Sequence, residues 1–181
     1  MVKWAAKHAL EVICDVQLGF EGEAEIVWKG YPGGYLVDLL PKLLQEVRST
    51  SAKPNAVILH CGTNDLDSVP HHLIQRTLKD TIACIRQDYP NTLVFRSDII
   101  PRRRYSVARS TSRLDKARKK VNRYAHKLLI GPQGGAIEHE ISYRQPGLYF
   151  PKDEVHLSGA GNALLVEDWR RAIQEYVALW R

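Results

Sequence analysis

The sequence has 181 residues, 20.6 kDa, with 44% hydrophobic and 25% charged side chains, which fits one packed domain and excludes a disordered or collagen-like chain. Its formal net charge of +6 is uneven: residues 101–127 hold eleven Lys/Arg against one acid, Asp115, so only that segment argues for a polyanionic partner. Three cysteines, Cys14, Cys61 and Cys84, with no CxxC or Cys/His ligand spacing, exclude a disulfide framework and a structural zinc site, and no apolar run reaches the length of a membrane span. A reducing, cytoplasmic setting is expected.

In chain order, residues 2–12 read as a helix, with Trp4, Ala5, Ala9 and Val12 at helical spacing, and 24–28 read as a strand. A helix over 35–47 carries Leu36, Leu39, Leu40, Leu43, Leu44 and Val47 on one face. The run 56–60 is short and continuously apolar, as a strand buried on both faces would be. A helix over 71–87 and a strand over 92–96 follow. The next helix, 112–129, has Leu114, Ala117, Val121, Tyr124 and Leu128 as its apolar stripe, while Arg109, Arg113, Lys116, Lys120, Arg123 and Lys127 recur every three or four residues on an adjacent face. A strand over 136–141 precedes the last helix, which opens at Ser158 as N-cap, runs to 180 and turns Ala163, Trp169, Ala172, Ile173, Tyr176 and Val177 inward. Alternating strands and helices predict an α/β fold with a parallel sheet, in which ligands sit at the carboxyl ends of strands.

Three segments after strands carry chemistry. The first, Lys29 to Tyr35, is Gly-rich and enters a helix; it reads either as a plain turn with a helix cap or as a loop whose N–H groups approach a ligand closely. It lacks the motifs of a phosphate cradle. In the second, Gly62-Thr63-Asn64-Asp65, the Asn64 amide is suited to hold an oxyanion, with an Asx-turn as the alternative. In the third, Asp153 to His156, a D-x-x-H spacing lets the carboxylate reach the imidazole Nδ1–H and leaves Nε2 as a general base, the alternative being an exposed acidic loop. His8, His60, His71, His72, His126 and His139 form no metal-ligand spacing and read as surface or packing residues, so neither a metal nor another cofactor is expected.

Together, Gly30-Tyr31-Pro32-Gly33, Gly62-Thr63-Asn64-Asp65 and Asp153 to His156 resemble the blocks of the SGNH hydrolases, also called GDSL esterases and lipases. Ile100-Pro101-Arg102 and the helix around 114–122 are most similar to SGNH-type domains of vertebrate genomes and of some LINE retrotransposon proteins. The resemblance implies a flavodoxin-like three-layer α/β/α fold with a parallel sheet, and hydrolysis of a small acyl ester through a Ser-His-Asp triad. His156 would be the general base, Asp153 its orienting partner, and the Gly33 N–H and Asn64 side chain the oxyanion donors.

One block departs from the family: no G-D-S turn occurs. Ser49, Ser51, Ser68, Ser97, Ser106, Ser110, Ser112, Ser142 and Ser158 all lie outside a strand-Gly-x-Ser-helix setting. By the resemblance, the serine and the first strand precede Met1. Residues 1–181 are then a single SGNH-type domain that is N-terminally incomplete and inactive by itself. A contrasting expectation is a non-catalytic scaffold, since some SGNH-like domains that lost the serine bind RNA. Its candidate contacts are Arg102, Arg103, Arg104, Arg113, Lys116, Lys120 and Arg123; with only Tyr105 and Tyr124 interleaved, phosphate contact would outweigh base stacking.

Overall fold

A computed structural model describes residues 17–49, 53–105 and 110–178, the side chain of Val47 excepted. The expected helix at 2–12, Cys14 and Arg109 lie outside the described residues. The described chain divides into two compact units. One comprises Gly33–Ile99 and Tyr105–Ile137; the other holds the described residues up to Pro32, Ile100–Arg104, and those from Glu138 onward.

The first unit contains helix α1 (Leu36–Ser49), strand β1 (Ala56–Leu59), the short helix α2 (Asp65–Ser68), helix α3 (His71–Asp88), strand β2 (Leu93–Ser97), helix α4 (Thr111–Leu128) and strand β3 (Gly134–Ile137). The strands pair in the order β1-β2-β3, all parallel, with Leu59 opposite Arg96 and Ser97 opposite Ile137. A parallel three-stranded sheet with helices joining its strands is of the three-layer α/β/α class, as expected from the alternation of elements. Helix α3 forms because Ile74, Leu78, Ile82 and Ile85 recur on one face, and all four are buried. Helix α4 turns Leu114, Val121 and Ala125 inward, and α1 adds Leu36, Leu39, Leu40 and Leu43 to the same core. Pro41 is accommodated within α1 on an exposed position. Asn122 of α4 fastens the chain leaving β2: its Oδ1 accepts from the Ile99 N–H at 3.0 Å and its Nδ2 donates to the Ile99 carbonyl at 3.1 Å.

The second unit contains helix α5 (Gly159–Ala178) and a series of turns. Ser158 caps α5 as expected, its Oγ accepting from the Gly161 N–H at 3.2 Å. The buried face of α5 lies toward its N-terminal half, at Leu165, Val166 and Trp169; Ala163, Ala172, Ile173, Tyr176 and Val177 are only half-buried. Trp28 and Trp169 pack with ring centroids 5.8 Å apart.

Three expectations need correction. Residues 24–28 are irregular rather than a strand. A strand needs a ladder partner for its N–H and C=O groups, and at Ile26 both groups are taken by a side chain: the Ile26 N–H donates to Gln17 Oε1 at 2.7 Å, and Gln17 Nε2 donates back to the Ile26 carbonyl at 3.3 Å. The run at 56–60 is not buried on both faces, for only Leu59 of β1 is fully buried, and among the described residues no strand pairs with its outer edge. The last strand lies at Gly134–Ile137 instead of 136–141, because Gly134, which β-propensity disfavours, allows a backbone approach that a side chain would block. Residues 65–68, for which the sequence carried no helical reading, turn helically after β1.

Candidate active site

At the carboxyl end of β1 the chain makes the turn Gly62-Thr63-Asn64-Asp65. Gly62 has φ +91°, and a Cβ there would lie 3.0 Å from Ile99 Cδ1 and 3.5 Å from an Arg96 guanidinium nitrogen, so both conformation and space select glycine. The Asn64 side chain makes no capping bond to α2, which sets aside the Asx-turn alternative. Its Nδ2 instead donates to the Gly34 carbonyl at 3.1 Å. Asp65 reaches the same segment, accepting the Leu36 N–H on both carboxylate oxygens at 3.0 and 3.1 Å, at the positive end of α1. The turn holding Gly33, at φ +69°, and the turn holding Asn64 are thus cross-tied by two adjacent side chains. Burial raises the Asp65 carboxyl above its ordinary value, against the lowering effects of the Leu36 N–H and the nearby Arg96 charge.

Arg96 is the residue here that sequence reasoning missed. It lies in β2, 1% exposed, and donates to the Leu59 carbonyl at 2.8 Å, to the Cys61 carbonyl at 2.5 Å and to the Ser97 carbonyl. One guanidinium thus gathers carbonyls from the ends of both strands and from the turn, which fixes the turn to the sheet. A charged residue inside an otherwise apolar strand was the available signal. The Cys61 thiol is pushed up by burial, only partly offset by Arg96. On the adjoining strand ends, His60 Nδ1 and Ser97 Oγ are 2.7 Å apart, and Ser97 is fully buried, so it presents no accessible nucleophile.

In the other unit, Asp153 and His156 are brought together by a tight turn with Glu154 at φ +55°. Asp153 Oδ2 lies 2.7 Å from His156 Nδ1, while its Oδ1 accepts the N–H groups of Val155 and His156 at 2.9 and 3.0 Å. These backbone donors, the His156 N–H first, lower the Asp153 carboxyl to about 2, so it is ionised throughout the neutral range. An ionised Asp at that distance selects the tautomer with hydrogen on Nδ1. The pair remains partly open to solvent, His156 and Asp153 at 46% and 44% side-chain exposure. The turn is held from outside by the Arg103 and Arg104 N–H groups, which donate to the Glu154 carbonyl at 3.1 and 3.3 Å.

Several histidines read as packing residues prove to be paired. His139 Nδ1 lies 2.8 Å from Asp168, with the imidazole side chain 1% exposed, and His126 Nε2 lies 2.9 Å from Asp98. Among the described residues no group of three or more His, Cys, Asp or Glu side chains is placed to hold a metal ion, and no helix is long and apolar enough to cross a membrane. Of the cationic candidates, Arg113, Lys116, Lys120 and Arg123 are exposed on α4, and Arg104 is exposed. In the other unit Arg102 is buried, and Arg103 donates to the Tyr143 and Gln145 carbonyls at 2.7 and 2.9 Å.

No family model matches the sequence, and no curated protein does. Solved structures do match. One, described as "a putative platelet activating factor from Streptococcus pneumonia", aligns with TM-score 0.67 and 21% identity over 87% of this chain and 75% of that one. A family 3 carbohydrate esterase from Clostridium thermocellum aligns with TM-score 0.63 and 18% identity over 84% of this chain and 71% of its own. The chain therefore has the three-layer α/β/α fold with a parallel sheet that these structures carry.

Proposed function

We propose that this chain carries the base and oxyanion parts of an SGNH-type ester hydrolase site and takes its serine from sequence ahead of Met1. The observation that carries the reading is the Asp153–His156 pair, a carboxylate held ionised 2.7 Å from Nδ1 of a half-exposed imidazole. The cross-tied turns of Gly33 and Asn64 support it. The esterase whose fold the chain shares makes acyl-ester chemistry the natural class.

In this reaction the serine Oγ attacks the acyl carbon while its proton passes to His156 Nε2. The carbonyl oxygen becomes an oxyanion that the Gly33 N–H and the Asn64 amide receive. Collapse of the tetrahedral species expels the alcohol, which takes the proton from His156, and water repeats the sequence on the acyl-serine. Asp153 keeps the imidazole in the required tautomer throughout. The test is hydrolysis of p-nitrophenyl acetate by the 181-residue chain and by the chain extended with its upstream coding sequence. Only the extended chain should turn over, and His156→Ala should remove about six orders of magnitude of its kcat. Equal turnover by both chains would refute the assignment.

A further inference from the structure

Helix α4 presents a face whose charge the rest of its unit does not answer. Its one acid, Asp115, is consumed by Arg118 at 2.8 Å and Lys119 at 3.1 Å. Arg113, Lys116, Lys120, Arg123 and Lys127 remain exposed, and among the described residues no carboxylate pairs with any of them. From α3 this face is met by Gln75, whose Nε2 donates to the Lys120 carbonyl at 3.0 Å, and by His71. The His71 imidazole is held below its ordinary value by burial first and then by the charges of Lys120 and His72. The row from Arg113 to Lys127 extends about 21 Å at ~1.5 Å per residue.

We infer that this face of α4 docks the phosphodiester backbone of RNA, by charge and without reading bases. A nucleic-acid strand repeats its charge every ~3.4 Å of axis, so a straight row of cations meets several phosphates at once. A bilayer fits less well, because an interfacial helix must insert its apolar side, and Leu114, Val121 and Ala125 are buried in the core. The surface is independent of the ester-hydrolase assignment and stands or falls without it.

The test is fluorescence anisotropy with a 20-nucleotide mixed-sequence RNA, for the wild-type chain, for Lys116→Ala/Lys120→Ala/Arg123→Ala, and for a charge-matched control, Lys42→Ala/Arg48→Ala/Lys53→Ala. With about five phosphates contacted at ~0.7 counterions each, wild-type affinity should fall about 100-fold between 50 and 200 mM salt. In the α4 variant binding should be at least tenfold weaker at 50 mM and the salt effect should shrink below tenfold, while the control stays close to wild type. No binding at 50 mM, equal losses in the two variants, or an unchanged salt slope in the α4 variant would overturn the inference. So would displacement of the RNA by phosphatidylserine vesicles at matched charge, which would assign the face to a membrane.

Discussion

Gly134 and Gly135 are neighbours in β3, yet the structure gives them opposite demands. At Gly134, φ is +137°, and an added Cβ would stand 1.8 Å from the Val94 carbonyl oxygen and 2.6 Å from its carbon. Since real contacts of this kind do not fall below about 3 Å, β3 would have to move from β2 by about an ångström, giving up bonds such as Val94 N–H to the Gln133 carbonyl. Backbone strain of about 1–3 kcal/mol and a broken buried hydrogen bond of about 1–3 kcal/mol place Gly134→Ala at roughly 3–5 kcal/mol of lost stability. That is a large share of the ~5–15 kcal/mol available to a typical domain. At Gly135 the same Cβ meets only the Phe95 ring at 3.7 Å, an ordinary contact. Gly135→Ala should be neutral or stabilising by up to about 1 kcal/mol, through loss of unfolded-state entropy. Urea unfolding followed by far-UV circular dichroism measures both. If the two variants unfold at the same urea concentration, the placement of β3 against β2 is wrong.

Asp65→Ala should cost about 3 kcal/mol, because it leaves the Leu36 N–H without its acceptor and the buried Arg96 without its nearby negative charge; Asp65→Asn, which keeps an acceptor, should cost clearly less in the same urea assay. The two aspartates also act oppositely with pH. Burial raises Asp65, so its ionisation subtracts stability as pH climbs above its unfolded value of ~3.9, and Asp65→Asn should flatten that decline. Asp153 is lowered to about 2, so the order it gives the 153–156 turn is fully present above pH ~4 and is lost as pH falls through 2; amide exchange at Val155 and His156 reads this directly. The half-buried Cys61 thiol, raised by desolvation, should react with iodoacetamide at pH 8 more slowly than in the unfolded chain, and equal rates in the two states would contradict its packing against the core.

The candidate turns were legible because their chemistry is local. Asp153 and His156 meet across three residues, and Gly62 to Asp65 form one turn, so spacing alone conveys geometry. Helices with full apolar stripes, such as α3, were legible for the same reason. What spacing could not convey was long-range pairing. Arg96 acts on carbonyls of the neighbouring strand, and Asp65 reaches back to Leu36. Gly134 opposes strand propensity yet is what lets β3 approach β2. The apolar alternation of Ala24 to Trp28 suits a strand, but a strand exists only with a partner, and Gln17 takes that place for Ile26.

The most direct test of the central claim is labelling by a serine-directed fluorophosphonate, which reacts only where a base has activated the hydroxyl. The 181-residue chain should remain unlabelled, and the chain extended upstream should take up one equivalent, lost in both His156→Ala and Asp153→Ala. Labelling of the 181-residue chain itself, or labelling of the extended chain that survives His156→Ala, would contradict the account.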